Sequence, residues 1–312
     1  MDTWKSDSFV YVPNGENPLS RTHAQLPTPM NLGASVFRFF YSSRDEQGQS
    51  RPFYLDYDMA TKKVLVEAER PVLELGAPGM FDDKGVMPSC VLRVGEEIYF
   101  YYIGWNQRTN ISYQLAIGLA ISKDNGVSFQ KVSNGPVLDR NIHDPVFCAA
   151  PCVHYNGNGF TMWYISATGW PSYNGKPEPV YLIKRAISKD GIHWSTCESV
   201  CIPYKFEGEA LGRPWVLQNS NGFHMWYSTR GSDCYREAAG QHYQIGYAYS
   251  QDGIAWRRED DRFSLLPSGN CWDQDMQEYS SVFAFENDYY MAYNGNTFGK
   301  TGFGIAKLQD KL

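Results

Sequence analysis

The chain has 312 residues, and its 28 Lys and Arg against 34 Asp and Glu leave a formal net charge of −6. With no basic run in it, that balance argues against a nucleic-acid partner. No stretch reaches about eighteen consecutive apolar residues, so no membrane span is expected.

The segment from Asp2 to Asn17-Pro18 reads as one extended strand, and it lacks the charged-then-apolar order of a secretory leader, so a cytoplasmic location is expected. From there a pattern recurs five times. Tyrosine-bearing strands are expected at Val36 to Ser43, Glu97 to Gly104, Gly159 to Ser166, Gly222 to Thr229 and Asp288 to Gly295. Their anchor residues Tyr41, Tyr102, Tyr164, Tyr227 and Tyr293 are 61, 62, 63 and 66 residues apart. A period this long and regular implies repeated structural units.

Ahead of each tyrosine strand lies a shorter apolar one, entered through Pro27-Thr-Pro29, Pro88, Pro151 or Pro214, and in the last repeat through Ser280. Proline suits a first strand position, where no ladder donor is needed. A third strand follows at Pro52, Leu115, Tyr181, Gln244 and Gly302. Three repeats then turn through Ser122 to Phe129, Ser188 to Trp194 and Ser250 to Trp256, where Asp-Asn-Gly and Asp-Gly signal hairpins. A fourth strand ends near Pro136-Val137, Ile202-Pro203 or Leu266-Pro267.

Four short antiparallel strands per repeat, with no helical stripe, describe an all-β chain of five propeller blades in one domain spanning 1–312. The last repeat lacks its fourth strand, and the N-terminal segment is expected to supply it, which removes an exposed edge. The seven cysteines show no CxxC spacing. Cys90 and Cys152 fall on equivalent inner strands and are expected to be buried small hydrophobes.

In such a fold the loops into each inner strand and out of each second strand open on one face. The inward loops carry His23 and Gln25, then Asp82, Asp83 and Lys84, then His143 and Asp144, then Glu207, Glu209 and Arg213, then Asp273, Asp275, Glu278 and Tyr279. The outward loops carry Arg44, Trp105, Trp170, Arg230 and Asn294 to Asn296. Carboxylates, arginines and tryptophans gathered in this way suit a polar, sugar-like ligand. Arginine's planar fork also suits an anionic group on it. Asp82 and Asp83 sit where aspartate commonly satisfies turn amides, and Asp144 precedes a proline, so a structural role competes with a functional one at each.

The repeats, the central carboxylates and the phrases FDDKGVMPSCV, GFHMWYS and AYSQDGIAW resemble the five-bladed glycosidase superfamily of arabinanases and β-xylosidases, invertases and levansucrases, and mannoside phosphorylases. The turn Ser122-Lys-Asp124-Asn-Gly126-Val-Ser-Phe129 resembles the Ser-x-Asp-x-Gly-x-x-aromatic box of sialidase-type propellers, a structural hairpin far from the active face, so Asp124 and its counterparts Asp190 and Asp252 are not catalytic candidates. The resemblance implies an aspartate base, an aspartate modulator and a glutamate acid from the first three blades. This chain instead offers His23 and Gln25 in blade one, and its carboxylates fall in blades two to four.

The reading is therefore a carbohydrate-active enzyme, hydrolase or phosphorylase-like, that cleaves or transfers a glycosyl unit. Asp83 and Asp144 are expected as base or modulator and Glu209 as acid, with Glu278 as substitute. His23, Arg44, Trp105, Trp170, Arg213, Arg230, Glu278 and Tyr279 are expected to bind the saccharide or glycoconjugate. No redox cofactor is expected, and no ligand spacing supports a divalent ion. A non-catalytic sugar-binding propeller and a phosphate-dependent or nucleotide-sugar glycosyl transferase are the alternatives.

Overall fold

The computed structural model describes residues 2–173, 175–233, 235–236, 241–310 and 312. Its regular structure is almost wholly strand. After β1 (Asp2–Tyr11) comes a group of β2 (Thr22–Gly33), β3 (Val36–Arg44), β4 (Ser50–Asp58) and β5 (Lys63–Glu67), each antiparallel to the next. The second group is β6 (Gly85–Val94), β7 (Glu97–Gln107), β8 (Tyr113–Ser122) and the short β9 (Gln130–Lys131). The third holds β10 (Cys148–Tyr155) and β11 (Phe160–Gly169), then a side hairpin of β12 (Ser172–Tyr173) and β13 (Lys176–Pro177), then β14 (Val180–Ser188) and β15 (Trp194–Ile202). The fourth is β16 (Ala210–Asn219), β17 (Gly222–Arg230), β18 (Gln244–Ser250) and β19 (Arg257–Arg258). Last come β20 (Phe263–Leu266), β21 (Glu278–Phe285), β22 (Asp288–Asn294) and β23 (Phe303–Leu308).

The N-terminal strand does complete the last group: β1 runs antiparallel to β23, pairing Trp4 with Leu308. One expectation is corrected here. The fourth strand of the fourth repeat is only the two residues of β19, and β20 instead lies parallel to β1 in the last sheet. The cause is local. Asp260 accepts a hydrogen bond from the Tyr247 amide at 3.1 Å and the Tyr227 hydroxyl at 2.6 Å, and a turn at Asp260–Arg262 redirects the chain.

By contacts the chain divides into two compact units. One comprises Met1–Pro71, Trp215–Ser228 and His242–Leu312, and the other Val72–Pro214 and Thr229–Gln241. Strand periodicity explains the core of each, because alternate residues face opposite sides. In the first unit Phe37, Phe39 and Tyr41 of β3 share one face and pack with Phe53, Leu55 and Phe283. Arg38, on the opposite face, is buried and held bidentately by Asp56 at 2.7 and 2.8 Å. In the second unit Tyr101, Ile117 and Leu119 pack with Met162 and Tyr164. Cys90 and Cys152 are both buried, as expected of small hydrophobes.

Candidate functional site

The anchor tyrosines define a repeated device that the sequence reading missed. Tyr102 donates to Asp82 at 3.1 Å, Tyr164 to Asp144 at 3.0 Å and Tyr293 to Asp273 at 2.8 Å, with 20 residues between partners each time. In the fourth group Tyr227 uses Asp260 instead. In the first, Tyr41 packs 5.0 Å from Tyr11, whose hydroxyl donates to Glu67. Cations complete two of the pins: Lys131 lies 2.6 Å from Asp82 and Lys184 lies 3.2 Å from Asp144. Burial first, and then the neighbouring aspartate charge, raises the hydroxyl pKa of Tyr102 and Tyr164 well above that of an ordinary phenol.

Asp144 therefore corresponds to Asp82 and Asp273 rather than to Asp83. Its side chain is 0% exposed, and Asn141 Nδ2 also donates to it at 2.9 Å. Its contacts with Tyr164, Asn141 and Lys184 hold the loop before β10.

Asp83 is placed differently. It is half-buried, its Oδ2 accepts from the Gly79 amide at 2.8 Å, and among the described residues its buried Oδ1 has no hydrogen-bond partner. Beside it the register pairs Gly85 with Trp105, and the Lys84 amide donates to the Trp105 carbonyl at 3.2 Å. The indole lies directly over Gly85, where any Cβ would overlap its Nε1. Glycine here lets a partly exposed tryptophan lie flat against the strand next to Asp83 and Lys84.

In the same unit Glu209 ends the turn before β16 and is 1% exposed. Its Oε1 accepts from the Thr229 hydroxyl at 2.7 Å, and its Oε2 from the Lys205 amide at 2.7 Å. Both oxygens are thereby oriented. Arg213, four residues on, is buried with φ 38, a left-handed conformation directly before Pro214. Leu26, Ala150 and Tyr279, just ahead of the same point on their own inner strands, have φ 56, 49 and 57. The ladders of β2, β10 and β21 slip by a residue there. A residue before proline normally avoids this region, and such strain persists only where the surrounding structure imposes it.

Two expected ligand-binding residues lie in packed surroundings. Arg230 is 2% exposed, and its guanidinium donates to the Gly231 and Pro179 carbonyls, Ser232 and Tyr181. Trp170 packs edge-on against Tyr113 at 5.2 Å and Phe147 at 6.1 Å. Arg230 reaches the turn that carries Glu209 through Ser232, whose hydroxyl donates to the Gly208 carbonyl.

The other unit holds His23, Arg44, Glu278 and Tyr279. His23 is buried, with φ 67, and its Nδ1 lies 2.9 Å from Thr22 Oγ1. Burial, then the charges of Arg44 and Lys300, lower its pKa to about 3, so the ring is neutral at physiological pH. Tyr279 lies 5.6 Å from Tyr243, which lies 6.1 Å from Phe298. Glu278 is fully buried at the start of β21. Lys300 was not foreseen, because its partner His23 is 277 positions away in sequence.

The aspartates of the three hairpin boxes bind their own turns. Burial raises the Asp124 pKa, but bonds from Ser122, Ser128 and two backbone amides outweigh it and bring it to about 2. Asp190 and Asp252 are lowered by similar local bonds. Among the described residues no group of three His, Cys, Asp or Glu could hold a metal ion, and no helix is long and apolar enough to cross a membrane.

No protein-family model matches the chain. It is 35% identical over 309 residues to the "Uncharacterized protein Rv1502" of Mycobacterium tuberculosis strain H37Rv, covering 98% of this chain and 99% of that one. Among solved structures it is similar to a glycoside hydrolase with a TM-score of 0.75 and 16% identity, covering 99% of this chain and 92% of the other. A second likeness is to a structure from the GH130 family of mannoside phosphorylases, at 0.68 and 13%, with 97% and 93% covered. At these identities the likeness is one of fold.

Proposed function

We propose that this chain, which belongs to the family of the mycobacterial protein Rv1502, is a carbohydrate-active enzyme that cleaves or transfers a glycosyl unit. In this reading its five strand groups are the blades of one propeller domain. The observation that carries the reading lies in one unit. A buried Glu209 has both carboxyl oxygens oriented, and Asp83 keeps an enclosed oxygen with no hydrogen-bond partner among the described residues, beside the half-buried Trp105.

Glycosyl transfer needs one carboxyl group to protonate the leaving oxygen and an ionised one to act at the anomeric centre. Glu209 is the proposed acid. Asp83 is the proposed base or nucleophile, and Trp105 the platform for the sugar ring. Asp144, whose contacts match those of Asp82 and Asp273, moves in this proposal from the chemistry to the scaffold, as does Arg230.

The test is substrate-dependent. Glu209→Gln should lower turnover of glycosides with poor leaving groups by about 10³-fold, a typical general-acid contribution. With an activated aryl leaving group, which departs without a proton, most of the loss should vanish. Equal loss on both substrate types removes Glu209 from the role of acid.

A second reading keeps Glu209 and Asp83 in their roles and makes phosphate the acceptor. Lys84, next to Asp83 in the same turn and only partly buried, favours it, because a cation there suits an anion. Turnover that requires inorganic phosphate supports this reading, and identical rates without phosphate remove it.

A further inference from the structure

Two segments remote in sequence hold the turn that carries Glu209, and the reaction scheme above uses neither. The first is the end of β17 and the residues after it. Thr229 gives its hydroxyl to Glu209 Oε1 at 2.7 Å, and three residues on Ser232 Oγ donates to the Gly208 carbonyl at 2.6 Å. One stretch of backbone thus grips both the carboxylate and the peptide that precedes it.

The second is the segment around the β12–β13 hairpin. Gly208 has φ 81, and a Cβ on it would fall on the Tyr173 hydroxyl of β12. Glycine there is required twice, by conformation and by the close approach of Tyr173.

Arg230 ties the two segments together. One terminal nitrogen donates to the Gly231 carbonyl at 3.0 Å and Ser232 Oγ at 3.3 Å. The other donates to the Pro179 carbonyl at 2.9 Å and Tyr181 Oη at 3.3 Å. The guanidinium also lies 3.7 Å above the Tyr235 ring. Glu178 closes the far side, accepting from Tyr235 Oη at 2.9 Å and Arg236 Nε at 3.2 Å. Ser232 is thus used in both directions, accepting from Arg230 and donating to Gly208.

We infer that Arg230 and Ser232 are positioning residues for Glu209, acting through the Gly208 peptide; the inference rests on the proposed role of Glu209 as acid. A planar guanidinium with its donors committed to fixed acceptors sets the angle of the strand end, as a flexible ammonium could not. Ser232 passes that position to the turn. Proton transfer to a leaving oxygen depends on placement within fractions of an ångström, and a misplacement of about 1 Å costs on the order of 10²-fold.

The experiment compares wild type, Ser232→Ala and Ser232→Thr by amide hydrogen exchange over residues 205–210 and by steady-state kinetics. Ser232→Ala should speed exchange in that segment roughly tenfold, the loss of about one net hydrogen bond. It should lower kcat by about tenfold or more while KM stays within about twofold, since binding groups are untouched. Ser232→Thr, which keeps the hydroxyl, should restore both. Unchanged exchange overturns the inference, and so does faster exchange with unchanged kcat. If the Ala variant does not fold, Thr229→Val, which removes the other grip on Glu209, is read in the same way. Should wild type turn over no glycoside, the enzyme reading fails, and the exchange comparison still decides whether Ser232 fixes the Glu209 turn.

Discussion

Replacing Asp144 by Asn separates scaffold from chemistry. The Asp144 carboxylate is 0% exposed and accepts from Tyr164 at 3.0 Å and Asn141 at 2.9 Å, and it faces Lys184 at 3.2 Å. Lys184 is itself 8% exposed and donates to the His143 carbonyl. The Asn variant leaves that ammonium buried without its counter-charge, and breaking one side of a buried pair costs about 3–5 kcal/mol. For a chain of this size, at about 2 °C per kcal/mol, the melting temperature should fall by roughly 6–10 °C. Asp83→Asn, which disturbs one backbone bond at a half-buried side chain, should stay within about 1 kcal/mol of wild type. Because the penalty lies in the stranded cation, Lys184→Met added to Asp144→Asn should recover at least half of it. Calorimetric scans of the four proteins give the answer. An Asp144→Asn protein that melts with wild type yet loses all turnover would refute the reasoning and return Asp144 to the chemistry.

Trp105→Ala should raise KM for a saccharide about tenfold, equivalent to about 1.4 kcal/mol of lost contact, with kcat little changed; an unchanged KM means that the indole only packs. Gly85→Ala should reproduce that loss, since the added Cβ displaces the indole lying on Gly85. Stability should also depend on His23. Its folded pKa, about 3, lies below the ordinary 6.5. The unfolded chain therefore binds a proton first as pH falls, and His23 subtracts stability progressively between about pH 6.5 and 3. The slope from one such proton approaches 1.4 kcal/mol per pH unit. His23→Gln should flatten the denaturation midpoint against pH across that window, and equal slopes for both proteins would show that His23 is solvated.

The repeat was legible because it rests on local chemistry. Alternating aromatics, Pro-entered inner strands and Asp-Gly turns each act within about ten residues, and the observed strands at Val36, Glu97 and Gly222 begin at the expected positions. The pins were missed although the sequence carries a signal for them, since Asp82, Asp144 and Asp273 each precede their tyrosine by 20 residues. Without that offset Asp144 looked equivalent to Asp83. Arg230 was unreadable for another reason: four acceptors bury it, and two of them, Pro179 and Tyr181, lie some fifty residues earlier. A loop arginine has no local signal that distinguishes a ligand contact from a tie between segments. The β12–β13 hairpin and the diversion of β20 to the last sheet likewise depend on tertiary partners.

The central claim is that Glu209 and Asp83 act on a glycosidic bond. Its most direct test is product release from a panel of aryl glycosides and oligosaccharides, with and without phosphate, by wild type, Glu209→Gln and Asp83→Asn, alongside calorimetric binding of the same sugars. The account predicts turnover by wild type, loss of about 10²-fold or more in each variant, and retained saccharide affinity. Sugar binding with no product from wild type, or full activity in both variants, would contradict it.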